Sequence, residues 1–294
     1  MPGMLRWVLG VVTVLALAGC GAGTADEPEA AGAAWEPTGT PARPGEPGQP
    51  IGLVGLWTVR EAAGEEPGVI LRLADGELSL WRRCGAMFGG WRAGADGLFV
   101  AGISGGSGKC YSGPDSVPAW LVRAAGHRAD DPDRLLVDRA GQTLARLVPG
   151  GRPKVDRNTS PTLAEPPVVT AALRDLLSPA APLPAGLRPA SAAELTGRWV
   201  PADGAGARAP RPPFAQLRAD GSWSGSDGCN GQGGRWVAGD AGSVLAVAGA
   251  QTLIGCDGVD IGSWLTGAAR AGFAGGELVL VDRTGRELGR LRAG

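Results

Sequence analysis

The chain has 294 residues, a length that suits about two domains, and its 51 Gly and 24 Pro against four Phe and one Tyr give a loop-rich, β-leaning composition. Formal net charge is -1, and Lys109 and Lys154 are the only lysines beside scattered arginines. That excludes the clustered basic footprint that nucleic-acid binding needs, so no nucleic acid is expected as a partner.

Residues 1–20 read as a targeting segment. Arg6 is followed by an apolar run over 7–17, too short for a spanning helix, which needs roughly 20 residues. Small residues then lead to Cys20, as a signal peptidase requires. The ending Leu17-Ala18-Gly19-Cys20 resembles the bacterial lipobox, which implies that the Cys20 thiol carries acyl chains such as palmitate and becomes the first residue of the mature protein. The plainer alternative is an ordinary cleaved signal with an incidental cysteine. Acyl chains contribute roughly 0.8 kcal/mol per buried methylene. The expected location is therefore the extracytoplasmic face of the cell membrane, with the membrane itself as a partner through Cys20. Residues 21–50 are rich in Ala, Gly, Pro, Glu and Thr without apolar periodicity, which predicts an extended, disordered tether.

The remaining cysteines are Cys84, Cys110, Cys229 and Cys256. An even number in an oxidising compartment favours disulfides over reactive or metal-binding thiols. Internal repetition chooses the pairing. Leu53, Gly55 and Trp57 recur as Leu195, Gly197 and Trp199, and Asp75-Gly76 recurs as Asp220-Gly221. Cys84 and Trp91 recur as Cys229 and Trp236, Trp120-Leu121 as Trp264-Leu265, and the Val137-Asp138-Arg139-x-Gly141 motif as Val281-Asp282-Arg283-x-Gly285. All offsets lie between 142 and 146 residues, so two homologous domains are expected, over 51–148 and 193–294. Each then owns two cysteines, and Cys84 pairs with Cys110 and Cys229 with Cys256. A crosslink closing such a loop stabilises by roughly 3.5 kcal/mol in the chain-entropy account. No Cys-x-x-Cys or Cys/His spacing suggests zinc, so no metal and no cofactor are expected.

Short apolar pieces predict strands over 56–59, 69–73, 78–81, 98–101, 135–138 and 144–148, and again over 198–200, 214–217, 223–225, 244–247, 278–281 and 287–291. Gly and Asp-Gly signals separate most of them. Residues 120–125 and 261–271 predict one helix per copy, and Trp91 and Trp236 are each expected in a Gly-rich turn. The fold class is mainly β: two small antiparallel β-barrel-like domains, cracked barrels in tandem, each with one helix.

The second copy resembles a META domain, the family of the HslJ-like bacterial proteins, through Leu195-Thr-Gly-Arg-Trp199, Asp220-Gly221, Gly228-Cys229-Asn230, Thr252, Cys256 and Leu278-x-Leu280-x-Asp282. The first copy keeps the frame but has Arg83-Cys84-Gly85 in place of Gly-Cys-Asn and no Thr before Cys110. The resemblance implies a compact β-rich fold in the cell envelope, with a role in stress tolerance, drug resistance or secretion. Asn230 suits a capped turn beside the disulfide. A functional reading makes Asn230, Gln232 and Trp236 the candidate binding set. Trp199, Trp223, Trp236 and Trp264 otherwise read as core.

Several motifs carry less than they promise. Gly102-Ile103-Ser104-Gly105-Gly106 matches a nucleophile elbow but lacks its strand-to-helix context, and Gly105–Cys110 falls short of a phosphate loop. Both read as one flexible Gly/Ser loop. His127, the only histidine, precedes an Asp-Asp-Pro turn and is expected to be exposed. Asp257 and Asp260 read as a solvated turn rather than a calcium site. Residues 149–192 form a Pro-rich linker with an amphipathic helix over 168–177, a candidate docking element. No acid-base pair is placed by the sequence, so the expected function is a non-enzymatic binding or envelope-stability module with an unidentified envelope partner. The competing expectation is a carrier of a small apolar ligand or lipid, which requires a cavity of about 300 Å³ or more inside one barrel.

Overall fold

The computed structural model describes residues 48–294 except 114–115, 155–159, 207, 253 and 256–257. The targeting segment with Cys20, and the tether up to residue 47, lie outside the described residues. All described residues fall in one compact unit. The fold is mainly β, and among the described residues no helix is long and apolar enough to cross a membrane.

Apolar alternation builds the first sheet from β1 (Gly55–Arg60), β2 (Ile70–Leu73), β3 (Glu77–Arg82), β4 (Gly85–Ala93) and β5 (Phe99–Gly108), then β6 (Gly126–Asp130), β7 (Asp133–Val137) and β8 (Thr143–Pro149). The short helix α1 (Ala119–Arg123) joins β5 to β6. Every pairing is antiparallel, in the order β5-β4-β3-β2-β1-β8-β7-β6. The sheet curls until its two edge strands meet at a Leu98–Gly126 bridge, where Phe99 N–H donates to Ala125 O at 3.1 Å and His127 N–H to Gly97 O at 2.8 Å. The interior is filled by Leu53, Trp57, Leu71, Leu80, Met87 and Phe99, all buried.

The linker contributes helix α2 (Ala171–Leu176), capped by the Thr170 hydroxyl, which accepts from Leu173 N–H at 3.1 Å. The expected apolar stripe of Val169, Leu173, Leu176 and Leu177 is divided: Leu173 is buried, Leu177 packs on the first core and Val169 is half-buried, while Leu176 faces solvent at 50% exposure. Next come β9 (Arg188–Pro189), α3 (Ala192–Leu195), β10 (Gly197–Pro201), β11 (Phe214–Leu217), β12 (Ser222–Ser226), β13 (Gly231–Ala238) and β14 (Val244–Ala248). Helix α4 (Ile261–Gly267), β15 (Arg270–Ala274), β16 (Glu277–Val281) and β17 (Glu287–Ala293) complete the chain. This second sheet, ordered β14-β13-β12-β11-β10-β17-β16-β15-β9, closes at a Ser243–Arg270 bridge with Val244 N–H to Ala269 O at 3.1 Å.

Hydrogen bonds recur at the same offset as the sequence landmarks. Trp57 Nε1 donates to Leu53 O and Trp199 Nε1 to Leu195 O, both at 2.8 Å. Ala125 N–H donates to Val137 O and Ala269 N–H to Val281 O, both at 2.9 Å. The Asp-Arg-x-Gly turns repeat as well: Gly141 N–H reaches Asp138 O at 2.9 Å and Gly285 N–H reaches Asp282 O at 3.0 Å.

Four sequence expectations need correction. The glycine-rich segments around Trp91 and Trp236 are the strands β4 and β13, not turns. Their glycines allow close strand approach: a Cβ on Gly89 would stand 1.9 Å from Gly102 O, and one on Gly234 would stand 1.9 Å from Val247 O. The Gly/Ser loop is mostly β5. The helix over 261–271 stops at Gly267, because residues from Arg270 onward pair with β16. The last residues assigned to the tether are packed, Gly48 and Pro50 being buried against the fold.

Candidate functional site

Cys84 and Cys110 form a disulfide that ties the start of β4 to the end of β5, with a Cα separation of 5.0 Å. Cys229 is also disulfide-bonded. Its expected partner Cys256 lies outside the described residues, as does Asp257.

Asn230 is buried, and its side chain is fully engaged. Its amide nitrogen donates to Asp227 Oδ2 and to Ile254 O, each at 2.8 Å, and its carbonyl oxygen accepts from Ile254 N–H at 2.5 Å. Asp227 also accepts from Cys229 and Asn230 N–H, and these bonds to the carboxylate hold its pKa below the ordinary aspartate value against the opposing effect of burial. Thr252 Oγ1 accepts from Gly231 N–H at 3.1 Å. The Gly-Cys-Asn turn and the Thr252 loop are therefore stapled together by the Asn230 side-chain amide and the Thr252 hydroxyl. Gln232 donates to Asp260 Oδ1 at 3.4 Å. Asp260 caps α4 by accepting from Ser263 N–H at 2.9 Å, and among the described residues no cluster of three metal-ligating side chains occurs.

Trp236 lies elsewhere, in β13, with its indole N–H held by Arg218 O at 3.0 Å and Ser222 O at 3.1 Å. One edge of it lines an open cleft of about 390 Å³ between the two sheets. The apolar lining comes from Leu98, Ala125, Val237, Ala238, Ala192 and Ala193, and the charged lining from Asp96, Asp138 and Arg139. Asp138 is occupied: it accepts from Ala140 and Gln142 N–H and pairs with Arg123 at 2.9 Å. These bonds hold its carboxyl below the usual range. Arg139 crosses the cleft to donate to Ala219 O, its guanidinium 6.0 Å from the Trp236 ring centroid.

Beneath this cleft the sheets meet through Val100, Ala125, Val237, Leu245 and Val247. Arg92 from β4 donates to Thr266 O in α4 at 2.5 Å, and Arg235 from β13 donates to Val122 O in α1 at 2.7 Å. Burial lowers Arg92 to about 10 and also lowers Arg235, and both stay charged at neutral pH. The sequence offered no signal for this interface.

His127, expected to be exposed, is a further correction: it is 1% exposed, inside the first sheet at its closing seam. Its Nε2 lies 3.1 Å from Gly94 O, and Nδ1 has no partner among the described residues. Ser104 of the elbow-like motif donates to Phe88 O at 3.3 Å from within β5, with no helix following it directly.

No protein-family model matches the chain, and no curated protein matches it. A solved structure that it is similar to is a DUF4847 family protein from Bacteroides vulgatus, at 18% identity and a TM-score of 0.28, covering 35% of this chain and 96% of that one.

Proposed function

We propose that the chain is a lipoprotein held by Cys20 on the extracytoplasmic face of the membrane, where two META-like domains act as a non-enzymatic binding or envelope-stability module. The observation that carries the binding reading is the distribution of space. Both sheet interiors are filled by their own Leu, Trp and Ala side chains, while the open cleft lies between the sheets. Filled interiors favour a docking module over a carrier that encloses its ligand in one barrel. The Cys84–Cys110 bond supports an oxidising location, and the lipobox-like Leu17–Cys20 stretch supports the anchor.

Cell fractionation tests the placement. The wild-type protein is expected in the membrane fraction with an acylated N-terminal cysteine in its mass spectrum, and Cys20→Ser is expected in the soluble extracytoplasmic fraction. Wild-type protein found in the cytoplasm with reduced thiols would overturn the reading.

A further inference from the structure

His127 stands where the first sheet closes, and that closure is the sheet's narrowest join. Every other neighbouring strand pair forms a continuous ladder. Strands β5 and β6 meet instead at the single Leu98–Gly126 bridge, flanked by the bonds from Phe99 N–H to Ala125 O and from His127 N–H to Gly97 O. Within this seam the His127 Nε2 faces Gly94 O at 3.1 Å. A carbonyl only accepts, so Nε2 carries the proton of the neutral ring and Nδ1 is the bare nitrogen. A second proton has to go to Nδ1, which is buried without a partner among the described residues. Protonation there creates a buried charge and a buried N–H with no acceptor, and both are costly. Two charged groups act on the ring: Asp96, in the turn before β5, favours the charged form, and Arg134 of β7 opposes it. Asp96 is exposed to water, which screens its attraction, while Arg134 is held by Asp131 at 2.6 Å and by Gly52 O at 3.2 Å. The other charged groups of β6 are engaged elsewhere, Asp130 with Arg146 and Arg128 beside Gly141.

The second sheet closes without such a group. At its Ser243–Arg270 bridge the position of His127 is taken by Ala271, which is buried and registered with Leu280 as His127 is with Leu136. One copy of the repeat closes over a titratable ring and the other over a methyl group. We propose that the His127 seam is an acid-released latch: the protonated ring is relieved by parting β5 from β6, which opens the wall that Gly97, Leu98, Ala125 and Gly126 give to the cleft between the sheets. Parting so short a join is a local event that leaves the ladders in place. A chain on the extracytoplasmic face meets external pH, so acid in the medium is the signal. The consequence for the cleft rests on the binding-module reading, whereas the latch itself stands on the seam.

The experiment is hydrogen–deuterium exchange of the full-length protein in neutral detergent, read by mass spectrometry on peptides from each seam. Labelling is compared at pH 7.5 and 5.5, with times scaled for the intrinsic pH dependence of amide exchange. At pH 5.5, one unit below the ordinary histidine value, peptides over 94–100 and 124–130 should exchange about tenfold faster than at pH 7.5. Peptides over 239–245 and 268–274, from the seam that holds Ala271, should not change. In His127→Gln the first seam should become as insensitive to pH as the second. The two seams of the wild-type protein decide the matter even where that variant folds poorly. Equal acceleration in both seams, no acceleration in the first, or an acceleration that survives in folded His127→Gln would each overturn the proposal. In a protein that still fractionates with the membrane, any of these results leaves the lipoprotein reading intact.

Discussion

Arg92 and Arg235 each hold the helix of the opposite repeat, one through Thr266 O at 2.5 Å and the other through Val122 O at 2.7 Å. Val122 and Thr266 are equivalent positions, each one residue before the end of its helix. A cation at a helix C-terminus meets the negative end of the dipole and satisfies a carbonyl that has no partner within the helix. The two bonds therefore lock the sheets from both sides of the Val100, Leu245 and Val247 contact. Arg92→Ala and Arg235→Ala should each cost about 1.5–3 kcal/mol, as for hydrogen bonds to charged groups. The double variant should unfold in two urea transitions, followed by tryptophan fluorescence, where the wild type shows one. A single transition in the double variant would show that the apolar contact couples the sheets without them.

The Cys84–Cys110 bond closes a loop of 26 residues, for which chain entropy gives about 3.5 kcal/mol. Cys84→Ala with Cys110→Ala should lower the urea midpoint by that equivalent. A midpoint unchanged in the double variant would show that the β4–β5 ladder alone holds this end of the sheet.

The repeat, the strands with apolar alternation and the Cys84–Cys110 pairing were all legible in the sequence, because each depends on residue type at fixed spacing. The missed strands β4 and β13 are rich in glycine, chosen for close approach of a partner backbone at Gly89 and Gly234, and glycine leaves no alternation to read. Strand β6 was missed, and His127 misplaced, for a related reason: a polar residue between Gly126 and a turn looks solvent-facing until β5 and β6 meet across the seam. Of the candidate binding set, only Trp236 reaches the cleft. Asn230 is committed to Ile254, a contact set by a loop that returns 24 residues later. The cleft itself joins turns from both repeats, and such two-body geometry has no periodic signature.

Asn230→Ala removes both bonds to Ile254 and the bond to Asp227. The unpaired Asp227 Oδ2 and Ile254 backbone groups should cost about 1–3 kcal/mol, read by urea denaturation. Asn230→Asp keeps the shape but sets a second carboxylate beside Asp227, so its deficit should shrink as pH falls and one of the pair is protonated. A deficit independent of pH would show that the two carboxylates do not face each other.

Histidine chemistry gives a separate pH window. Burial lowers the His127 pKa against the raising effects of Gly94 and Asp96, with Arg134 lowering it further. Below the ordinary histidine value near 6.5 the unfolded chain binds a proton that the folded chain refuses. Stability is therefore full above that pH and falls on acidification, by up to about 1.4 kcal/mol per pH unit, until the folded-state pKa is reached. The carboxylates act lower. Asp282, held down to about 2 by bonds from Thr284 and Arg286, contributes stability that is present above its unfolded value near 4 and is lost as pH falls towards 2. Since the chain has no other histidine, the slope between pH 6.5 and 5 belongs to His127 alone. His127→Gln keeps a donor for Gly94 O without a titrating ring and should flatten that segment of the urea-midpoint profile while leaving the acid limb below pH 4 in place. A slope that survives the substitution would place the titrating group outside the seam.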